Sequence, residues 1–304
     1  MKIRLDDMTI EDVKELYNPM FKDLIEETVL ERLYLKYLEK YKEMKVAEKN
    51  GYKAPSAMGR KYSYLRNMLY GWYIEDLFYI LLQKNPKIES VILSGDDREH
   101  KFLYDHENKK IGISGDKTTN PDYLITLKNG EKIYLELKTA VAEVYSIKVG
   151  NVKQLQKTMG FTSIYSLIIM VDLLNGFYEI KDIGYFLNIF PFVNNRMEGQ
   201  LCYNFPIPSK SFSMIKEEDF SSYINKEIFD TEDIKKYRAL YLAEKSGNKD
   251  LEKDIKNKIK LDEINAGFEY TQKEYNKAVE KILLKSPNVE FKTWKDLLDE
   301  SMKE

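Results

Sequence analysis

Ser166-Leu167-Ile168-Ile169-Met170-Val171 is apolar at nearly every position. Side chains on a strand alternate between faces, so a strand of this kind needs cover on both sides of its sheet. That requirement points to a layered α/β arrangement and away from an open antiparallel sheet with one wet face. The surrounding segments fit such a layer. Short β-rich runs occur at 89–94, 122–127 and 132–138, and a helix of roughly Asn151 to Met159 separates the last of them from 166–173. Ahead of them, a helix from about Ser63 to Gln83 is apolar on most sides and is therefore expected to be buried. The middle of the chain reads helix, strand, strand, strand, helix, strand.

The flanks read differently. From Phe21, the residues Leu24, Ile25, Val29, Leu33, Tyr37 and Met44 recur at helical spacing and predict one long amphipathic helix ending near Asn50-Gly51. The stretch 51–66 mixes Gly51, Pro55 and Gly59 with basic residues and reads as a loop entering the next helix. Residues 176–225 read as irregular, aromatic and marked by proline. From Thr231 to Lys285 two or three helices are expected, broken near Gly247 and Gly267, and a last short helix should bury Trp294, Leu297 and Leu298.

Charge and cysteine content narrow the function classes. Lone Cys202 can form neither an internal disulfide nor a thiolate zinc site, which fits a reducing cytoplasm. Acids within the first seven residues and the absence of a long apolar run predict a soluble, cytoplasmic chain with no membrane segment. The net charge of −2 is unevenly spread. Residues 1–35 carry 5 basic and 9 acidic side chains, whereas residues 36–70 carry 9 and 3. His100 and His106 stand six apart in a polar stretch, without the i, i+4 spacing of a helical metal site, and are expected at the surface. No phosphate-binding loop, dinucleotide fingerprint or nucleophile elbow is present, so no nucleotide cofactor is expected.

The segment that carries chemistry runs from Asn120-Pro121-Asp122 to Glu136-Leu137-Lys138. Acid-x-lysine alone is uninformative, since it recurs from Asp12-x-Lys14 to Glu290-x-Lys292 in a chain with 32% charged residues. Two conditions single this copy out. Pro121-Asp122 is the one Pro-Asp in the chain, and Glu136-x-Lys138 lies in a strand pattern with a second strand hairpinned to it. A two-residue Asn129-Gly130 turn would set Asp122 opposite Leu137 and mix polar with apolar on each face. A three-residue loop, Lys128-Asn129-Gly130 with Gly130 left-handed, pairs Ile125 with Ile133 and Tyr123 with Leu135, and brings Asp122 to Glu136. Opposed residues have Cβ atoms roughly 4.5–5.5 Å apart. Two carboxylates that close need neutralising, and oxygen ligands beside a lysine suit Mg²⁺ and phosphodiester hydrolysis.

These residues resemble the PD-(D/E)XK nuclease superfamily, as found in type II restriction endonucleases. The resemblance covers roughly residues 60–175 and implies a restriction-endonuclease-like αβββαβ core: a mixed central sheet flanked by helices. Residues 1–59 would form a helical, basic N-terminal extension, and 176–304 an irregular, then helical C-terminal extension for recognition and dimerisation. By the same resemblance Asp122 and Glu136 are metal ligands, Lys138 is the catalytic lysine, the Leu137 carbonyl completes the metal shell, and Glu75 on the preceding helix adds an acid to the catalytic and metal-binding set. Lys148, Lys153, Gln154 and Lys157 would face the DNA. Gln154 is similar to the glutamine of the exonuclease-like branch, although Thr158 stands where that branch has tyrosine. Lys53, Arg60, Lys61 and Arg66 are expected to add a basic DNA surface.

The implied activity is Mg²⁺-dependent, site-specific cleavage of double-stranded DNA by a homodimer whose symmetry matches the site. A repair or structure-specific nuclease of the same superfamily, or an inactive nuclease-fold DNA-binding module, stands as the alternative.

Overall fold

The computed structural model of the chain describes residues 9–54, 61–95, 97–114, 120–140, 145–194, 199–266, 279–286 and 292–302. It divides into two compact units, one of Met1–Val152 with Tyr165–Ile224 and one of Lys153–Ile164 with Asn225–Glu304. Both α-helix and β-sheet contribute, and the principal sheet is mixed. No helix among the described residues is long and apolar enough to cross a membrane.

The first unit is built on a six-stranded sheet. Its strands are β1 (Ile88–Leu93), β4 (Tyr123–Leu127), β5 (Lys132–Ala140), β7 (Tyr165–Asp172), β8 (Phe177–Asp182) and β11 (Lys210–Ser211), in the order β1-β4-β5-β7-β8-β11. Only β5 and β7 run parallel. A parallel pair needs a long crossover, and here the chain makes it through β6 (Ser146–Lys148) and α4 (Val149–Thr162). All eight residues of β7 are buried, as its composition requires of a central strand. Each Leu or Ile buried in this way contributes about 1.5–3 kcal/mol.

Helix α3 (Lys61–Gln83) closes against β1 and buries Trp72, Tyr73, Ile74, Leu77, Phe78, Leu81 and Leu82. Phe78 meets Phe21 and Phe212 at ring-centroid distances of 6.0 and 5.3 Å, which ties α3 to the end of α1 (Ile10–Phe21) and to a 3-10 turn at Phe212–Lys216. Helix α2 (Glu27–Lys49) packs on α3 through Tyr37, Met44 and their neighbours.

The sequence expectations need correction at three places. The helix expected from Phe21 is two helices, because the Phe21 carbonyl accepts the Leu24 and Ile25 N–H groups in a turn and α2 starts at Glu27. The polar stretch around His100 and His106 is not all loop. It contains the hairpin β2 (Phe102–Asp105) and β3 (Lys110–Ile113). Residues 176–225 are more regular than expected, holding β8, the short α5 (Ile183–Leu187), β9 (Phe192–Asn194), β10 (Gln200–Asn204), β11 and two 3-10 turns. Strands β6, β10 and β9 form a separate three-stranded sheet.

In the second unit, α6 (Glu232–Ser246), α7 (Lys249–Ala266) and α8 (Trp294–Met302) share a core of Ala239, Leu240, Ala243, Leu251, Ile255, Trp294 and Leu297, with Leu298 partly buried against it. Helix α6 ends at Gly247, whose φ of +77° suits glycine. The break expected at Gly267 lies outside the described residues. Asp262 accepts the Trp294 indole N–H at 2.8 Å, so the buried ring keeps its polar edge paired.

Candidate active site

The β4–β5 hairpin closes through the three-residue loop expected from its patterning. Leu127 N–H donates to the Glu131 carbonyl, Gly130 N–H donates to the Leu127 carbonyl, both at 2.8 Å, and Gly130 has φ +83°. Tyr123 pairs with Leu135 and Ile125 with Ile133. This register carries Asp122 to the middle of β5, where its Oδ2 accepts the Leu137 backbone N–H at 2.7 Å. On its other side the Asp122 carbonyl accepts the Ser94 N–H at 2.8 Å. Gly95 passes so close that a Cβ there would lie 3.6 Å from both the Cα and Oδ1 of Asp122. Asp122 is therefore fixed between the end of β1 and the middle of β5.

Glu136 and Lys138 follow at strand spacing on β5 and form a short ion pair, with side chains 13% and 33% exposed. Burial pushes the Asp122 carboxyl well above its ordinary range, and the charges of Glu136 and Glu75 push the same way, against Lys138 and the Leu137 N–H. Burial opposes the charge of Lys138, but Glu136 and Asp122 outweigh it and hold the ammonium firmly protonated. Asp122 and Glu136 thus share one ammonium, and the pair is short of positive charge.

Glu75 comes from α3. Burial raises its carboxyl, with His100 pulling in the opposite direction. His100 Nε2 lies 3.0 Å from Glu75 Oε2, and Nδ1 lies 3.1 Å from Asp76 Oδ1. Far from standing at the surface, His100 is 2% exposed and stacks on Trp72 at a centroid distance of 5.5 Å. The reason is local. Trp72, Glu75 and Asp76 fall at i, i+3 and i+4 on one face of a buried helix, and two carboxylates there need a cation. A pair of acids in an otherwise apolar helix is the signal from which a buried cation could be expected. Only tertiary pairing over 25 residues supplies its identity. His106 is exposed, with Nδ1 2.7 Å from the Tyr52 hydroxyl.

The expected DNA-facing residues are dispersed. Lys53 is exposed, and its backbone bridges Lys110. Arg66 is half-buried on α3, and Lys148 is exposed at the end of β6. Lys61 opens α3 with its side chain outside the described residues, and Arg60 lies outside them altogether. Lys153, Gln154 and Lys157 belong to the second unit, where Lys153 pairs with Glu263 at 3.1 Å and Lys157 sits over the Phe161 ring at 5.3 Å.

Among the described residues, no three His, Cys, Asp or Glu side chains converge to hold an ion by themselves. Asp122 and Glu136 offer two carboxylates, with the Leu137 carbonyl as the expected third oxygen. Oxygen donors around a deficit of positive charge fit a hard divalent cation that keeps part of its water. A separate groove of about 630 Å³, lined by Leu35, Val46, Tyr52, Tyr104 and His106, does not include this cluster.

Comparison of the chain with protein-family models, with curated proteins and with solved structures finds no match.

Proposed function

We propose that this chain is a Mg²⁺-dependent endonuclease of the PD-(D/E)XK type, cutting double-stranded DNA at specific sites as a type II restriction enzyme does. The observation that carries the reading is the hairpin register that holds Asp122 on the Leu137 N–H beside the Glu136–Lys138 pair. The succession α3, β1, β4, β5, α4, β7, with β5 and β7 parallel, supports the αβββαβ core, the β2–β3 hairpin being an insertion between its first two strands.

In this reading Asp122, Glu136 and the Leu137 carbonyl hold Mg²⁺. The bound ion supplies Lewis-acid polarisation of the phosphate and a more acidic water. Lys138 stays protonated between Glu136 and Asp122, so it acts as a donor to a phosphate oxygen and as a charge clamp. Asp122 keeps its orientation through the Leu137 N–H, and Glu75 adds a further acid to the metal-binding set, with one oxygen paired with His100. Cutting both strands of a symmetric site calls for two such centres, hence a homodimer.

The test is cleavage of a long plasmid or phage DNA with Mg²⁺, for the wild type, for Lys138→Ala and under EDTA. Discrete fragments lost with EDTA and reduced at least 100-fold in the variant are the expected result, the size of effect when a transition-state charge partner is removed. A smear would favour a non-specific or repair nuclease. No cleavage of duplex or branched DNA with any divalent metal would overturn the reading and leave a DNA-binding module.

A further inference from the structure

Glu75 and Asp76 both contact His100, but they do not depend on it equally. Asp76 Oδ2 also has Lys36 Nζ at 2.6 Å and the Tyr37 hydroxyl at 2.7 Å. Among the described residues, the Glu75 carboxylate has His100 as its one hydrogen-bond donor. The imidazole itself is held on every side: by Asp76 and the Tyr37 hydroxyl at Nδ1, both at 3.1 Å, and by the face of Trp72. The Tyr37 hydroxyl lies 2.9 Å from the Trp72 carbonyl, which ties α2 into the same assembly. His100 also has φ +48°, a left-handed conformation costing a non-glycine residue roughly 1–2 kcal/mol. Strain of this kind persists where the surroundings over-determine the residue.

A buried ion pair adds little stability compared with apolar packing of the same volume. The assembly therefore needs a reason beyond holding α3 in place, and Glu75 supplies one. The hydroxyl of Tyr123, the residue after Asp122, donates to the Glu75 backbone carbonyl at 2.8 Å and seats this turn of α3 against the site strand, and the Glu75 charge acts on both Asp122 and Lys138. We propose that His100 is a positioning residue: it holds the Glu75 carboxylate beside Asp122 and Lys138, and through Glu75 it sets the affinity of the acidic cluster for a divalent cation. This assignment rests on the metal-dependent reading above. Hydrogen-bond partners of this outer kind typically govern 10–100-fold in metal affinity.

The test is calorimetric titration of the full chain with Mg²⁺ alone, for wild type, His100→Gln and Tyr37→Phe, with thermal melts of each. Tyr37→Phe removes a hydroxyl from the same assembly without touching Glu75. His100→Gln should weaken Mg²⁺ binding about 10–100-fold, and Tyr37→Phe should lower the melting temperature while leaving the affinity within about twofold. A second measurement needs no variant. The chain has two histidines, so in spectra of ¹⁵N-histidine-labelled wild type the His100 ring signals should move with Mg²⁺ and those of His106 should stay fixed. Unchanged affinity in His100→Gln, an equal loss in Tyr37→Phe, or a His100 ring indifferent to Mg²⁺ that binds would overturn this assignment alone. A wild type that binds no Mg²⁺ would overturn the metal reading of the site and this assignment together.

Discussion

The charge on His100 and the charge on Asp76 hold one another in place. Burial works against the imidazolium, yet Asp76 and Glu75 raise its pKa from 6.5 to about 9. Burial also works against the Asp76 carboxylate, and His100 with Lys36 lowers its pKa from 3.8 to about 2. A raised histidine contributes stability that is complete below 6.5 and lost as pH climbs through about 9. A depressed aspartate contributes stability that is complete above 3.8 and lost as pH falls through about 2. The pair is therefore most stabilising from about pH 4 to pH 6.5. The stability gap between wild type and His100→Gln, on the order of 3 kcal/mol in that window, should shrink steadily to pH 10. Urea melts at pH 5, 7, 8.5 and 10 read it directly, and a gap independent of pH would contradict the assigned charges. The same residues show what the sequence discloses about a site. Asp122, Glu136 and Lys138 could be read together because a hairpin of period two leaves only one register that keeps both faces consistent. His100 could not, because its partners are α3 residues 24 and 25 positions away, and a polar stretch in a sequence says nothing of what it folds against.

Two glycines separate backbone conformation from packing as reasons for an element to hold its place. Gly130 closes the β4–β5 loop at φ +83°, and a Cβ at this position would meet nothing within 4 Å, so the demand there is conformational. Gly130→Ala should cost about 1 kcal/mol, and Gly130→Asn less, since asparagine tolerates the left-handed region. Gly160 on α4 is the opposite case. A Cβ there would lie 2.6 Å from Tyr237 Cβ, 2.9 Å from the Arg238 nitrogen and 3.0 Å from the Ile234 carbonyl of α6. Two of those neighbours are backbone and cannot rotate away. Gly160→Ala should therefore destabilise by roughly 1–3 kcal/mol, although alanine is the better helix former. Denaturant unfolding checks both, and a stabilised Gly160→Ala would show that α6 yields. Elements were legible in proportion to their length and period. Strand β7 and helix α3 declare themselves, because burial on two or more sides leaves an apolar run. Strands β9 (three residues) and β11 (two residues) carry no such run. They exist through pairing with other strands, as when Phe192 of β9 meets Cys202 of β10 or Lys210 of β11 meets Tyr178 of β8.

At the scale of the whole molecule, the net charge of −2 would make DNA a poor partner if charge were evenly spread. Affinity for a polyanion depends instead on how many cations can reach phosphates at once. The excess of basic residues across 36–70 is only partly available for that. Lys36 is committed to Asp76, and Lys45 pairs with Glu48. Lys40 is half-buried, and burial together with Lys36 lowers its pKa. Among the other described members of this window Lys42, Lys49 and Lys53 are exposed and Arg66 is half-buried, so in the proposed reading the test falls on Lys53 and Arg66 together with Arg60 and Lys61, the four basic residues expected from the sequence to meet DNA. Every phosphate that goes unneutralised should flatten the slope of log affinity against log salt by roughly 0.9. Replacing Lys53, Arg60, Lys61 and Arg66 with glutamine should weaken duplex binding and flatten that slope by about 2–4, read by titration from 50 to 200 mM salt without divalent metal. Lys138→Ala is the matched control. Its ammonium is tied to Glu136 beside Asp122, so its removal should stop cleavage and move the slope by no more than about 0.9, the share of a single phosphate. A quadruple variant with an unchanged slope would remove 53–66 from the DNA surface and shift the search to other basic residues, Lys148 among them, leaving the chemistry assigned to Asp122, Glu136 and Lys138 untouched.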